Sequence, residues 1–362
     1  MTEVAEDQAV PVHILEQFVR DALTAAGSAH EQAAAVASAL SSASLRGVDS
    51  HGVRLLPHYL RVLHSGRVTP SPRLQVKRTL LSTAVVDADN GFGHYASFRA
   101  VAEGCAMAGQ AGVAAVSVIN SSHFGAAGCY VLAAAEQGFV AFAFANSDSF
   151  VLPHDGMQPF HGTNPLAFAA PIRDERPYLV DMATSIVPWN RVQDYRSRGR
   201  KLPEDIAVGA TGAMTTDPGE VTALLPLGGE RFGFKGAALA SMMEVLSAVM
   251  TGMAHCSRLI PMVGGDASTP RRLGHFFIVL KPDAFVSRAT YERGMAAYLD
   301  DLRSSPPKPQ RQVMAPGDRE WAAVDRRSVT GIPMPPALLA EYRQIAAAFG
   351  LEDLQLRKAR MT

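Results

Sequence analysis

Residues 113–146 read VAAVSVINSSHFGAAGCYVLAAAEQGFVAFAFAN. The first eight are apolar and rich in β-branched side chains, a strand by length and composition. SSHFGAAG is a small, polar loop, a helical pattern follows to Glu136, and FVAFAFAN at 139–146 is a second strand. A strand, a loop, a helix and a strand in succession form the repeating unit of an α/β domain. Outward from it, AVVD at 84–87 is a strand that runs into the turn DADNGFG, and a small-residue helix spans about Tyr95 to Ala108. Downstream, LAFAAP, YLVDMAT at 178–184 and HFFIVL at 275–280 are further strands. The alternation leaves open whether the sheet is parallel or mixed.

The flanks are helical. Ile14, Leu15, Phe18, Val19, Ala22 and Leu23 recur at helical spacing as far as Gly27, and Ser28-Ala29-His30-Glu31 has the pattern of a capping box before an alanine-rich helix to Leu45. A third helix carries Leu55, Leu56, Tyr59, Leu60 and Leu63 and breaks at Gly66. Leu239, Met242, Met243, Leu246 and Val249 predict an apolar helical stripe, 253–273 an exposed loop, 289–302 another helix, and Pro336 the start of the last one.

The chain of 362 residues carries 34 Lys+Arg and 34 Asp+Glu, so no net field draws it to nucleic acid or an anionic membrane. With 48% apolar and 19% charged residues it has enough apolar surface to fold. Three cysteines, Cys105, Cys129 and Cys256, form neither a disulfide framework nor a zinc ribbon, which favours a reducing cytoplasm. The opening MTEVAEDQAV lacks the apolar core of a signal peptide, and no continuous apolar run reaches bilayer length.

Four loops carry candidate chemistry. In Asp49-Ser50-His51-Gly52-Val53-Arg54, a histidine can pass a proton near neutral pH, and an arginine three residues on lies one helical turn away, its planar fork suited to a carboxylate. A helix cap with a surface arginine explains the same residues. Asn120-Ser121-Ser122-His123-Phe124-Gly125 joins a strand to a helix, where amides and hydroxyls meet anions and His123 is a second proton carrier. Gly162-Thr163-Asn164-Pro165, with Asn146-Ser147-Asp148 upstream, has ordinary turn composition. In Gly228-Gly229-Glu230-Arg231-Phe232-Gly233-Phe234-Lys235-Gly236, glycines and a lysine at a helix start suit pyrophosphate, but no P-loop spacing is present. Gly91-Phe92-Gly93 lacks the third glycine and the acidic partner of a Rossmann fingerprint. His51, His58 and His64 share no metal-ligand spacing, so no metal site is expected, and the G-x-S-x-G of a hydrolase elbow is absent.

Over nearly its whole length the sequence resembles the malate/L-lactate dehydrogenases of the non-Rossmann type, a family that includes ureidoglycolate dehydrogenase, diketogulonate reductase, sulfolactate dehydrogenase and the piperideine- and pyrroline-2-carboxylate reductases. The matching pieces are GVDSHGVRLLPHYLRVLHSGRV, VDADNGFGH, SSHFGAAG, PHDGMQPFHGTNPLAFAAP, DMATS, TTDP, LLPLGG followed by FKG, MMEVLSAVMTG and GHFFIVL. The resemblance implies an α/β fold with a largely antiparallel sheet in a cofactor domain (76–284, with 190–255 as a subdomain) beside a helical substrate and dimerisation domain built from both chain ends (1–75 and 285–362). It implies a homodimer; the cysteines favour the cytoplasm, and the balanced charge favours neither a nucleic-acid nor a membrane partner. It further implies hydride transfer between NAD or NADP and C2 of a small 2-oxo or 2-hydroxy carboxylate. Reduction of a cyclic imine is the alternative, and a non-catalytic ligand-binding homologue is the alternative of another class.

By the same resemblance His51, Arg54, His123, Ser50 and Asp181 are catalytic or substrate-site residues. Ser122, His123, Asn146, Gly162, Thr163, Asn164, Ala183, Thr184, Arg196, Lys235 and Gly236 are cofactor contacts. His51 is favoured as proton relay, with His123 the alternative. Arg196, Arg198, Arg200 and Lys201 suit a 2′-phosphate or form a solvated loop. IVPWNRVQDYRSRGRKLPE after DMATS departs from the compact segment of many members and is nearest the ureidoglycolate branch, with Asn190 in place of a glycine.

Overall fold

The computed structural model describes residues 8–354; the first seven residues, on which the reading of the N-terminus partly rests, lie outside them. The chain opens with β1 (Gln8–Val10), α1 (Val12–Ala25), α2 (His30–Leu45) and α3 (Leu56–His64). The central domain follows, with β2 (Gln75–Leu80), β3 (Thr83–Asp87), α4 (Gly93–Ala111), β4 (Val113–Ser121), α5 (Gly128–Ala135), β5 (Val140–Ala145), β6 (Leu166–Ala170) and β7 (Tyr178–Met182). After α6 (Trp189–Ser197), β8 (Ala207–Val208), β9 (Ala223–Leu224) and α7 (Gly229–Glu244), strand β10 (Leu273–Leu280) returns to the sheet. The chain continues through α8 (Arg288–Arg303), α9 (Asp318–Thr330), β11 (Ile332–Met334) and α10 (Pro336–Phe349).

Seven strands form the main sheet in the order β2-β3-β4-β10-β5-β6-β7. Only β3 and β4 pair in parallel; the other neighbours are antiparallel, as the resemblance implied. The late strand β10 decides this. It enters between β4 and β5, with Phe276 opposite Ser117 on one side and Phe144 on the other. β4 and β5 therefore run the same way without touching, and no dinucleotide crevice of the Rossmann kind forms between them. A strand so enclosed is covered on both faces, which accounts for the unbroken apolar run of HFFIVL.

Ala114, Val116 and Val118 of β4 point to one face, where α4 and α5 supply Ala100, Ala108, Tyr130 and Val131 to the main core. On the other face Met243 of α7 meets Phe144 and Phe276. Gly229–Val249 is one helical run long and apolar enough to cross a bilayer by composition alone, but its Gly236, Ala240 and Met243 are buried in the protein. The expected stripe on this helix is corrected. Small residues face the sheet, while Met242, Val245 and Val249 are exposed, and a π-helical turn over Val245–Val249 alters the register of the last part.

A second core joins both chain ends. Val10, Leu15, Phe18, Val36, Leu56, Ile332, Met334 and Tyr342 pack together, Phe18 stacks on Tyr342 with centroids 5.1 Å apart, and β1 pairs with β11. The capping box is absent. Ser28 Oγ accepts from Gln32 Nε2, and the Glu31 carboxylate accepts the Tyr95 hydroxyl proton at 2.6 Å, because tertiary partners outcompete the local cap.

Candidate active site

His51 does not begin a helix. It closes a 3₁₀ turn (Asp49–His51), Gly52 is extended at φ −96° and ψ −154°, and Arg54 sits in a second turn (Val53–Leu55). The break arises where the loop meets α2, since a Cβ on Gly52 would strike the Ser44 hydroxyl, which accepts a hydrogen bond from Val53 N at 3.0 Å. Gly52→Ala is therefore expected to cost about 1–3 kcal/mol, as overpacking does, read as a lower urea midpoint at unchanged m. The one-turn argument that put Arg54 beside His51 as a clamp fails for the same reason. Arg54 is exposed and does not line the cavity described next, although its charge helps lower the His51 pKa.

A cavity of about 500 Å³, within the usual range for small-molecule sites, lies between the helical layer and the sheet. Ser50, His51, His123, Asn146, Thr163, Asp181 and Ala183 line it, drawn from five separate stretches of chain. The His51 and His123 rings are stacked 6.0 Å apart. His51 Nδ1 is 2.9 Å from Ser50 Oγ, Ser50 O accepts from Asn190 Nδ2 at 2.8 Å, and Arg327 holds the Asp49 carboxylate with two hydrogen bonds of 2.6 and 2.8 Å. His123 Nδ1 is 2.7 Å from the Tyr59 hydroxyl, which lies 3.4 Å from Nε2 of the buried His94.

Burial, with Arg54 as a lesser cause, pushes His51 down to about 4. Burial, and then the charge of His51 among its neighbours, pushes His123 well below the ordinary range. Burial raises Asp181 to about 6, against a lowering from the Gly128 amide, which donates to its carboxylate at 2.9 Å. That amide is at the N-terminus of α5. The anion expected at this helix start is thus a residue of the protein itself, and a Cβ on Gly128 would come within 2.6 Å of Asp181 Oδ2.

The other expected residues support or stand apart. Asn164 and Thr184 are fully buried behind the wall: Asn164 donates to Glu244 at 2.7 Å, and Thr184 Oγ1 donates to Asn164 O at 3.1 Å. Ser122 Oγ donates to Gly91 O and accepts from Gly93 N, so it fastens the DADNGFG turn. Gly162 is not a lining residue, and Gly236 N donates to Leu227 O. Lys235 is exposed on α7 with Nζ over the rings of Phe232 and Phe234, outside the cavity. Arg196 is exposed on α6, and its neighbours Arg191, Arg198 and Arg200 line a separate recess with Tyr195.

Several residues escaped the sequence reading. Glu244 accepts from both Asn146 and Asn164, and the only sign of it was a carboxylate inside the apolar run MMEV. Trp189 lines the cavity and stacks on Phe150 at 4.5 Å. The 253–273 segment, expected to be exposed, supplies Met262 and Arg271 to the wall. It is held by Arg67, which donates to Pro261 O and Met262 O, and by the buried Arg271–Asp148 pair.

A nicotinamide dinucleotide fits these residues. Oδ1 of Asn146 and Nδ1 of His275, both from cavity-lining side chains, are buried without a hydrogen-bond partner among the described residues, the condition a polar ligand relieves. A protein-family model described as Malate/L-lactate dehydrogenase matches residues 10–343. The chain belongs to the malate/L-lactate dehydrogenase family. It is 35% identical to a malate dehydrogenase of Pyrococcus horikoshii over 95% of this chain and 96% of that one. It is 34% identical to the ureidoglycolate dehydrogenase (NAD(+)) of Escherichia coli K12 over 88% and 90% of the two chains. The solved structure of a delta1-piperideine-2-carboxylate reductase from Pseudomonas syringae superposes with a TM-score of 0.83 at 32% identity, covering 94% of this chain and 100% of that one. Membership makes the chain an NAD(P)-dependent oxidoreductase of small 2-oxo or 2-hydroxy acids or related imines.

Proposed function

We propose that the protein interconverts a small 2-hydroxy carboxylate, malate-, lactate- or ureidoglycolate-like, and its 2-oxo acid, in the cytoplasm. The observation that carries this reading is the shared cavity of His51, His123 and Asp181. When bound, NAD or NADP supplies the hydride acceptor or donor. His51, with Nδ1 engaged by Ser50, has Nε2 left to take the hydroxyl proton in oxidation and return it to the forming alkoxide in reduction. The Tyr59 hydroxyl carries one proton. Given to His123 across the shorter contact, it leaves the proton of His123 on Nε2, a donor for the substrate oxygen, while His94 Nε2 donates to Tyr59. Ser50, Asn190 and Arg327 hold the His51 turn, and Glu244 holds Asn146 and Asn164 against the cofactor side of the wall.

A second copy of the chain seated on Phe232 and Met242 of α7 and on Val245 and Val249 of the π-helical turn that follows accounts for that exposed apolar surface. Light scattering reads the assembly directly; a dimer of the wild type that Val245→Glu converts to monomer is the expected result, and a wild-type monomer removes the second copy.

The test of the activity is a panel of pyruvate, oxaloacetate, phenylpyruvate and piperideine-2-carboxylate with NADH and with NADPH, followed at the nicotinamide absorbance. Consumption with a 2-oxo acid is expected. Consumption with the imine alone would transfer the chemistry to a C=N bond.

A further inference from the structure

Two arginines line the cavity, and their situations differ. Arg271 is buried, donates to Ile260 O at 2.7 Å and is paired with Asp148, so its charge is already matched. Arg319 makes no hydrogen bond or ion pair among the described residues, although it lines the same cavity. Its side chain is solvent-exposed, but its backbone is not loose. Just before it, Asp318 pairs with Arg303 at 2.8 Å and accepts from Ala315 N at 2.8 Å. Just after it, Trp321 Nε1 donates to Pro177 O at 2.9 Å, and upstream Leu179 N donates to Pro316 O at 3.3 Å. These contacts dock the start of α9 on β7, the strand that carries Asp181. Near the other end of α9, Arg327 grips Asp49, two residues before His51. One helix thus ties the Asp181 strand to the His51 turn and carries, on the cavity wall, the uncommitted guanidinium-bearing Arg319.

We infer that Arg319 receives the carboxylate of the substrate, the task that spacing had suggested for Arg54. The assignment rests on the proposed function, since it supposes an acid as substrate. A fork on a fixed backbone pairs with a planar carboxylate through two parallel N–H···O bonds and so orients C2 toward the histidines.

The test compares the wild type with Arg319→Met, Arg319→Lys and Arg54→Met, using the best 2-oxo acid of the panel and its methyl ester, which lacks the charge. For Arg319→Met, KM for the acid is expected to rise about 10- to 100-fold, the range for a charge-assisted hydrogen bond, with kcat changed less. The ester should react as with the wild type, so the acid-to-ester ratio of kcat/KM collapses; Arg319→Lys recovers part of it and Arg54→Met keeps it. Cofactor affinity, read by nicotinamide fluorescence, stays at the wild-type value. An unchanged ratio in Arg319→Met, or an equal loss on acid and ester, overturns the assignment while leaving the proposed function intact. A wild type that turns over no acid of the panel overturns the function, and this assignment with it.

Discussion

Replacing His51 with alanine is expected to lower kcat by between about 100- and 10,000-fold, the span of a lost general acid–base group, with cofactor affinity kept. His51 stands at about 4, lowered first by burial and then by Arg54. In alcohol oxidation the neutral ring is the working form, so the rate owed to this group is full at neutral pH and declines as the pH falls toward 4. In reduction the protonated ring is needed, and the sign reverses: the rate falls as the pH rises above 4. Arg54→Gln removes a positive neighbour and should move that ionisation upward, so the acid limb of oxidation begins at higher pH. An alanine variant with wild-type turnover would take the proton relay away from His51, and the same experiment on His123 would show whether it belongs there.

The second large effect is on stability. His94 and His275 are fully buried, and burial lowers each to about 3. Once unfolded, both return to an ordinary value near 6.5. Between these values the unfolded chain binds protons that the folded one refuses, so stability rises with pH through the window and is lost as pH falls below about 6.5. From pH 7 to 5 the two histidines together withdraw on the order of 3–4 kcal/mol. Urea unfolding at pH 7 and pH 5 measures this directly. His275→Gln should remove roughly half of the share that these two histidines contribute, and a wild type equally stable at both pH values would mean that the rings take up protons in the fold.

Much of this architecture was legible because it is written in local periodicity. VAAVSVIN, FVAFAFAN and HFFIVL are strands wherever they are put, and Ile14 to Leu23 make an amphipathic helix that needs no distant partner to be recognised. The order of the strands is another matter. That β10 enters between β4 and β5 depends on residues more than a hundred positions apart; the family resemblance anticipated a largely antiparallel sheet but not this insertion. Helix α9 has no expectation attached to it in the sequence, because DREWAAVDRRSVT is mostly polar and buries little beyond Ala323 and part of Trp321.

The site divides along the same line. His51, His123 and Asp181 sit in distinctive short motifs, and the cavity contains all three. Arg54 and Lys235 rest on the same resemblance, through the pieces DSHGVR and FKG, yet neither lines the cavity. The break at Gly52 and the outward face of α7 send them elsewhere. Arg319 had no local mark and Glu244 only its place inside the apolar run MMEV, since what distinguishes them is what they meet in space: an open cavity for one, two asparagine side chains for the other.

The central claim is that this cavity brings C2 of a small acid against the nicotinamide, with His51 handling the proton. Incubation with reduced cofactor deuterated at the transferring carbon, and mass analysis of the product, tests it most directly. Deuterium at C2 of the 2-hydroxy acid, formed by the wild type and at least a hundredfold more slowly by His51→Ala, is the predicted result. A product without the label, or equal labelling by both proteins, would contradict the account.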